Sequence, residues 1–569
     1  MVVVVIVQRG DMKKVKNDVV EGNGGVSPYP LHLDVSKLDK IRFGWDYYDF
    51  SQNPNVKEKI HDKFDFLRPS GIWMNDADTL PLTNDDVDVV NGYHNLYTAM
   101  RFFYVQKYRI YNADTKTFIS NNENFIYLIG TQSGPSCWDG RGELFKNIAE
   151  HTKEYIRKGK VLVVIDMSDE GYPIESTNEM SISEAGYYEN ISEYIHKAVR
   201  REKFPPSNIA YLTSNYKIKR NYKNINQFVF PWTEIIMKNK DPNPIEDLNK
   251  WHLASFDVWN GHGLSTDSIN PDILAKKTDK VDILWDIDEW VEREFAKALR
   301  YKATNIDKMK NFLCLCKLVK DWRLYHSLGL NFYSLHEKGL TSFILSKDRI
   351  MNSPYLNDDL KNHIRDLNDY DMNKILCDDN LYEKITLTLD LQCKLFSNKD
   401  FKNHLNIKDF IEKLPLYVDT KTFDNVNGFD AWNRSFYDNT FFSYTYNTFA
   451  TGNDTIYLTE KVWKEIMCFH PFLLVSNPGS LKQLRKLGYK TFEPFIDESY
   501  DNVKDFNRRS DKLLQEVNRI NSYSDKGKQR LLHWYEKQSD ILIHNFKHFV
   551  ESNPAKETLN LLLGVYSNL

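Results

Sequence analysis

At 569 residues, the chain is long enough for about three domains and more than one buried core. Hydrophobic residues at 41% and charged residues at 27% are ordinary for a globular protein. The 75 basic residues are offset by 79 acidic ones that alternate with them locally, which gives no electrostatic reason to expect a nucleic-acid partner.

The aromatic share of 14% fits two readings, a sugar-handling surface where rings stack on pyranoses and a core built from large side chains. Cysteines stand at 137, 314, 316, 377, 393 and 468, with no CxxC pair and no histidine at zinc-ligand spacing. Reduced, buried thiols in a cytosolic setting are the expectation, with no metal site. The opening Met1 to Arg9 lacks a basic n-region and reads as a strand, and no run is long enough to span a bilayer. A soluble cytoplasmic chain follows. Heavy use of Asn, Lys and Tyr suits an AT-rich genome, which extends the expectation to a viral chain in a host cytoplasm or a virion.

In chain order, residues 1–120 form an N-terminal extension, α/β or β-rich, with strand-like pieces at Val2 to Val7 and Ile41 to Trp45. Signals sharpen from Asn124. Strands are predicted at Phe125 to Gly130, Val161 to Asp166, Ile209 to Thr213 and Phe228 to Trp232, with helices at Glu143 to Arg157 and Ile191 to Arg201. Short apolar strands alternating with helices imply a parallel, doubly wound sheet over 121–305, with ligands beyond the carboxyl ends of its strands. Residues 240–305 are less regular, apart from a helical Val291 to Tyr301. A second α/β run over 306–510 has strands at Phe312 to Cys316, Leu340 to Leu345, Phe441 to Thr445 and Pro471 to Val475. Its helices fall at Asp321 to Leu328 and Thr459 to Met467. A charged, Asn/Asp-rich insertion fills 347–415, and 511–569 is helical by period. The architecture is α/β, two Rossmann-like domains separated by a hinge.

Tyr457-Leu-Thr-Glu-Lys461 carries the most chemistry. It sets a carboxylate beside an ammonium in the first turn of a helix, whose free N–H groups already favour an anion. Lys461 suits a pyrophosphate, Glu460 can accept from ribose hydroxyls, and Tyr457 can cover a base or sugar. A Thr cap with surface Glu and Lys explains the same five residues equally well.

The segment resembles the donor-binding motif of the α-1,3-fucosyltransferase family and related viral and phage glycosyltransferase-like proteins, in which a Tyr-x-Thr-Glu-Lys element opens a helix and holds the nucleotide sugar. Asn477-Pro-Gly-Ser480, Leu487-Gly-Tyr-Lys-Thr-Phe492 and Asp497-Glu-Ser-Tyr-Asp501 extend the likeness. The family's donor-contacting arginine, after a strand, aligns with Arg323, whose planar fork can take two phosphate oxygens. Relatives carry Asn-Arg-Arg-x-Arg in that loop; here Cys316-Lys317-Leu-Val-Lys320 keeps two positive charges at Lys317 and Lys320 without the bidentate geometry. Relatives also carry a Glu where this chain has Tyr446-Asn447, and Asn447 is the residue left to meet a donor hydroxyl. The resemblance spans about 160–240 and 308–510.

The resemblance implies the GT-B arrangement, two Rossmann-like domains facing a cleft, and inverting transfer of a sugar, with fucose from GDP-fucose as the family's case, to a glycan or glycoprotein. It implies a general base at the end of the strongest strand, Glu170 first and Asp169 second. Asp286 and Asp288 form an Asp-x-Asp pair of the kind that chelates metal in another glycosyltransferase fold, but lysine, arginine and a helix dipole can neutralise the leaving diphosphate, so no metal or other cofactor is expected. The altered loop at 316–320 and the unplaced insertions favour a rival: a non-catalytic relative acting as a glycan-binding or structural protein, virion-associated.

Overall fold

The computed structural model describes residues 40–45, 68–69, 109–130, 144–145, 148–168, 171, 191–238, 287–316, 321–343, 434–452, 454–552, 554 and 556–569. The expected strand at Val2 to Val7 and the 347–415 insertion lie outside them. In chain order the first sheet is built from β1 (Lys40–Trp45), β2 (Arg68–Pro69), β3 (Arg109–Asp114), α1 (Thr115–Ser120), β4 (Phe125–Gly130), α2 (Glu150–Arg157), β5 (Val161–Met167), α3 (Ile191–Glu202), β6 (Ile209–Thr213), β7 (Asn221–Tyr222), β8 (Ile225–Val229) and α4 (Trp232–Lys238). After α5 (Ile287–Thr304), the second sheet comes from β9 (Lys310–Cys316), α6 (Asp321–Phe332), β10 (Leu340–Phe343), α7 (Arg434–Asp438), β11 (Thr440–Tyr446), α8 (Glu460–Met467), β12 (Phe472–Val475) and α9 (Ser480–Lys486). Four helices close the chain: α10 (Phe506–Asn521), α11 (Lys528–Glu536), α12 (Ser539–Glu551) and α13 (Lys556–Ser567).

The fold is α/β. Its first sheet runs in the order β3-β1-β4-β5-β6-β8-β7, parallel except for β7 against β8 and the short β2 against the end of β4. Strands β4 and β5 are continuous apolar runs because both of their faces are covered. Phe125, Tyr127, Val163, Ile165 and Tyr211 point into one core with Tyr155, Ile195 and Val199 of α2 and α3. Ile126, Leu128, Leu162, Val164 and Leu212 point the other way. That second core continues without a break into the other sheet and the closing helices, through Trp232, Phe312, Trp463 and Leu562. The second sheet is fully parallel, in the order β10-β9-β11-β12.

The last helix returns to the first sheet. Thr558 Oγ1 of α13 donates to Val229 O at 2.5 Å, Tyr566 Oη donates to Asn124 O at 3.0 Å, and Leu559, Leu562 and Leu563 are buried in the shared core.

Two expected elements differ. Helix α2 starts at Glu150, not Glu143, because Leu144, Phe145 and Ile148 are buried as an apolar turn rather than one helical face. The strand placed at Phe228 to Trp232 is β8, ending at Val229; Pro231 precedes the start of α4 at Trp232. The hairpin before it turns on Lys223 and Asn224, with φ of 49° and 69°, the paired positive values of a tight hairpin turn. No helix among the described residues is long and apolar enough to cross a membrane.

Candidate functional site

Strand order fixes where this site sits. From β9 the chain leaves through α6 to β10 on one side; from β11 it leaves through α8 to β12 on the other. Helices α6 and α8 therefore start at the carboxyl ends of two adjacent strands and diverge, which leaves a crevice between them where open α/β sheets bind ligands. Arg323 lies in the first turn of α6, and Glu460 and Lys461 are the first two residues of α8. The two motifs, far apart in sequence, flank one crevice.

Asn447, the residue after β11, joins them. Its backbone carbonyl accepts from Arg323 Nη2 at 3.0 Å, while its side-chain amide donates to Tyr457 O and accepts from Thr448 N at 3.0 Å. Asn447 thus braces the Tyr457 segment, and its amide is committed to the backbone rather than turned to a ligand. The Arg323 guanidinium also packs over the Trp322 ring, 4.9 Å from its centroid.

Lys461 Nζ donates to Glu460 Oε1 within the same turn. Burial works against the Glu460 charge, but Lys461 and Lys464 outweigh it and hold the carboxyl below its ordinary value. Thr459 is the N-cap residue, yet its side chain makes no capping bond, so the expected threonine cap is absent in that form; its buried Oγ1 has no partner. Thr459 contributes through its backbone instead, its carbonyl accepting from Val462 N at 3.1 Å.

The first sheet meets this segment at the carboxyl ends of its strands. Thr455 Oγ1 donates to Gly171 O at 2.5 Å, Asn215 Nδ2 donates to Asp454 O at 3.2 Å, Ile456 N donates to Asn215 Oδ1 at 3.1 Å, and Tyr216 N donates to Ile456 O at 2.9 Å. Further along, Thr233 Oγ1 donates to Leu458 O at 2.6 Å and accepts from Trp463 Nε1 at 3.2 Å. Gly171 abuts Tyr457 so closely that a Cβ there would lie 2.2 Å from the tyrosine Cβ. Tyr457 is 4% exposed, Arg323 6% and Glu460 7%, whereas Lys461 keeps about a third of its side chain in solvent.

Asp169 and Glu170 lie outside the described residues, as do Lys317, Lys320 and Asp286. Of the described residues beside Asp169 and Glu170, Ser168 is held by Asp166 Oδ1, which accepts from its amide at 3.1 Å and its hydroxyl at 2.6 Å, and Gly171 rests on Tyr457. Asp288 is on the surface, paired with Lys547. Cys314, Cys316 and Cys468 are buried thiols, none in a disulfide. Among the described residues no group of three His, Cys, Asp or Glu is arranged to hold a metal ion.

The downstream motif stretches contact one another. The Asp501 carboxylate accepts from the amides of Gly479, Leu481 and Lys482, each at 3.1 Å, and so occupies the amino end of α9 with a charge from within the chain. Gly479 takes φ of 88° to allow this. Sequence reasoning missed this cap, the bracing by Asn447 and the Gly171–Tyr457 contact. All three join residues distant along the chain, and only the glycine carried a visible signal.

Comparison with protein-family models, with curated proteins and with solved structures returned no match.

Proposed function

We propose that the chain binds a nucleotide-diphosphate sugar in the crevice between β9 and β11 and is a glycosyltransferase of the GT-B arrangement, its two sheets facing each other at their carboxyl ends. One observation carries the reading: Arg323 and the Glu460–Lys461 pair open the two helices that diverge at the switch point of the second sheet. Two helix starts, an ammonium and a guanidinium suit a diphosphate, whose charge grows as the sugar leaves. Tyr457 would lie against the base or sugar. The first sheet would carry the acceptor, a glycan or glycoprotein, and Asp169 and Glu170 lie in the sequence between Ser168 and Gly171, the glycine that abuts Tyr457. Glu170 in that loop would take the acceptor proton and Asp169 is its alternate. No metal or separate cofactor is required by this chemistry, and a donor from the guanosine series with fucose is the first to test. Because Tyr457 and Arg323 are buried, binding requires the 454–459 segment to withdraw from Gly171 and Asn215, a lid motion of the kind that gates many transferases.

Thermal-shift measurements with nucleoside diphosphates and sugar nucleotides test this reading. We expect one donor series to raise Tm, the rise to vanish in Lys461→Ala, and Glu170→Gln to keep donor binding while abolishing transfer. Silence across the panel would refute it. That silence would favour a second reading, a non-catalytic glycan-binding or structural protein, which draws on the mutual pairing of Glu460 and Lys461 and on the sealed Tyr457.

A further inference from the structure

At the other end of the second sheet lies a groove that the donor reading does not use. Asn311, near the start of β9, donates to Asn521 Oδ1 at 2.9 Å and to Ser524 Oγ at 2.7 Å, and Lys528 Nζ donates to Met309 O at 2.7 Å. These bonds fix α10 and α11 at the amino ends of the strands, opposite the crevice. Between α11, the turn at Tyr523 and the loop Glu493 to Asp497, a solvent-open cavity of about 990 Å³ remains. That is the upper end of the range for small-molecule sites, about 300–1,000 Å³, and larger than one sugar ring needs.

Its lining is mixed in a specific way. Phe495, Tyr523 and Trp534 supply rings, with Phe495 and Tyr523 partly open to solvent. Arg530, Trp534 and Lys537 fall at i, i+4 and i+7, one face of α11 and its cap, and line the cavity together. Arg530 and Lys537 are exposed and form no ion pair among the described residues, while Glu493 and Asp497 also line the cavity, the Asp497 carboxylate accepting from Ser499 N at 2.9 Å. The two cations and two carboxylates balance, which argues against a phosphate or a nucleic acid. Arg519, the remaining cation, is neutralised by Glu516 at 2.6 and 2.8 Å and stacks over Tyr523 at 5.5 Å, so the ring is held before any ligand arrives.

Trp534 closes the floor of the groove. Its indole is 7% exposed, packed edge-on to Phe442 at 5.7 Å, and its Nε1–H is buried without an acceptor in the protein. Rings for the apolar faces of pyranoses, with donors and acceptors of balanced charge for hydroxyls that both give and accept, fit a neutral oligosaccharide.

We propose that this groove is a binding site for a neutral oligosaccharide, distinct from the crevice at Tyr457 and independent of the donor reading. Saturation-transfer NMR and calorimetry on the full chain test it, with β-1,4-glucose, α-1,4-glucose and β-1,4-N-acetylglucosamine hexamers as probes. At least one should bind saturably with Kd below about 10 mM, the weak end expected for an open site. Tyr523→Ala should weaken it about five- to tenfold, the loss of one ring contact. Phe495→Ala, which removes the other half-exposed ring, should weaken it by a similar factor. Lys461→Ala and saturating nucleoside diphosphate should leave it unchanged, so this site stands or falls apart from the crevice. No saturable binding of any probe, equal affinity in Tyr523→Ala, or tighter binding of a sulfated hexamer than of the neutral ones would overturn the proposal.

Discussion

Glu465 lies on the inward face of α8, beneath the candidate site, and its protonation should be visible in the stability of the whole protein. Its Oε1 accepts from Thr445 Oγ1 at 2.9 Å, and its Oε2 is 3.3 Å from His470 Nδ1, which also meets Ser443 Oγ at 2.7 Å. Burial pushes the Glu465 carboxyl from 4.5 up to about 8, against the opposing pull of the Ser443 and Thr445 bonds, and burial holds His470 well below its ordinary value. Both groups are thus neutral at pH 7, and the protonated acid can donate. The folded state binds this proton more tightly than the unfolded chain does, so the stabilisation is complete below about pH 4.5 and is lost as pH rises through about 8. Between these limits the loss is about 1.4 kcal/mol per pH unit, or about 3 kcal/mol from pH 5 to 7.5. His470 titrates in the opposite sense below its ordinary value, and Lys302, depressed by burial to about 7, does so above that pH, so the native profile alone would mix the three. Glu465→Gln keeps the shape of the neutral acid and removes the titration. Urea denaturation of both proteins at pH 5, 6, 7 and 7.5 should give a native-minus-variant difference that falls steadily with pH. A difference that stays flat would refute the buried, protonated carboxyl.

Gly171→Ala should push its loop off Tyr457, because the added Cβ would stand 2.2 Å from the tyrosine Cβ. We expect a loss of about 1–3 kcal/mol in denaturation together with faster proteolysis near residue 171, and an unchanged melting curve would count against the contact. Lys302→Met should cost about 2–4 kcal/mol. Lys302 Nζ donates to the carbonyls of Tyr437, Asp438 and Thr440, and losing it strands three acceptors around the end of α7; calorimetry measures this, and a neutral effect would remove Lys302 from the core's support.

Much of the α/β plan was legible because buried parallel strands are apolar along their whole length. Val161 to Ile165 carries that signature, within a strand that is buried from Val161 to Met167. Where buried positions are polar, the signature fails. In β8, Asn226 donates to Ser207 O and Ile209 O and Gln227 accepts from Ser192, so the strand hides its neighbours' polar groups rather than reading as a hydrophobic run. Leu144, Phe145 and Ile148 mislead the other way: apolar spacing cannot separate a helix face from a buried turn. At the candidate site, Glu460 and Lys461 were readable from the helix they open. Their juxtaposition with Arg323 depends on strand order, which local pattern does not encode, and the brace through Asn447 depends on a carbonyl, which no side-chain motif reveals.

The return of α13 to the first sheet has a consequence for biosynthesis. Strands β4, β5 and β6 leave the ribosome hundreds of residues before Leu559, Leu562 and Leu563, which are buried in the same core as Leu162 and Val164. At about 5–20 residues per second the nascent sheet waits tens of seconds with that part of its face uncovered. During that interval an apolar surface is open to chaperones or to a neighbouring nascent chain, and a polypeptide that stalls before residue 556 would expose it permanently.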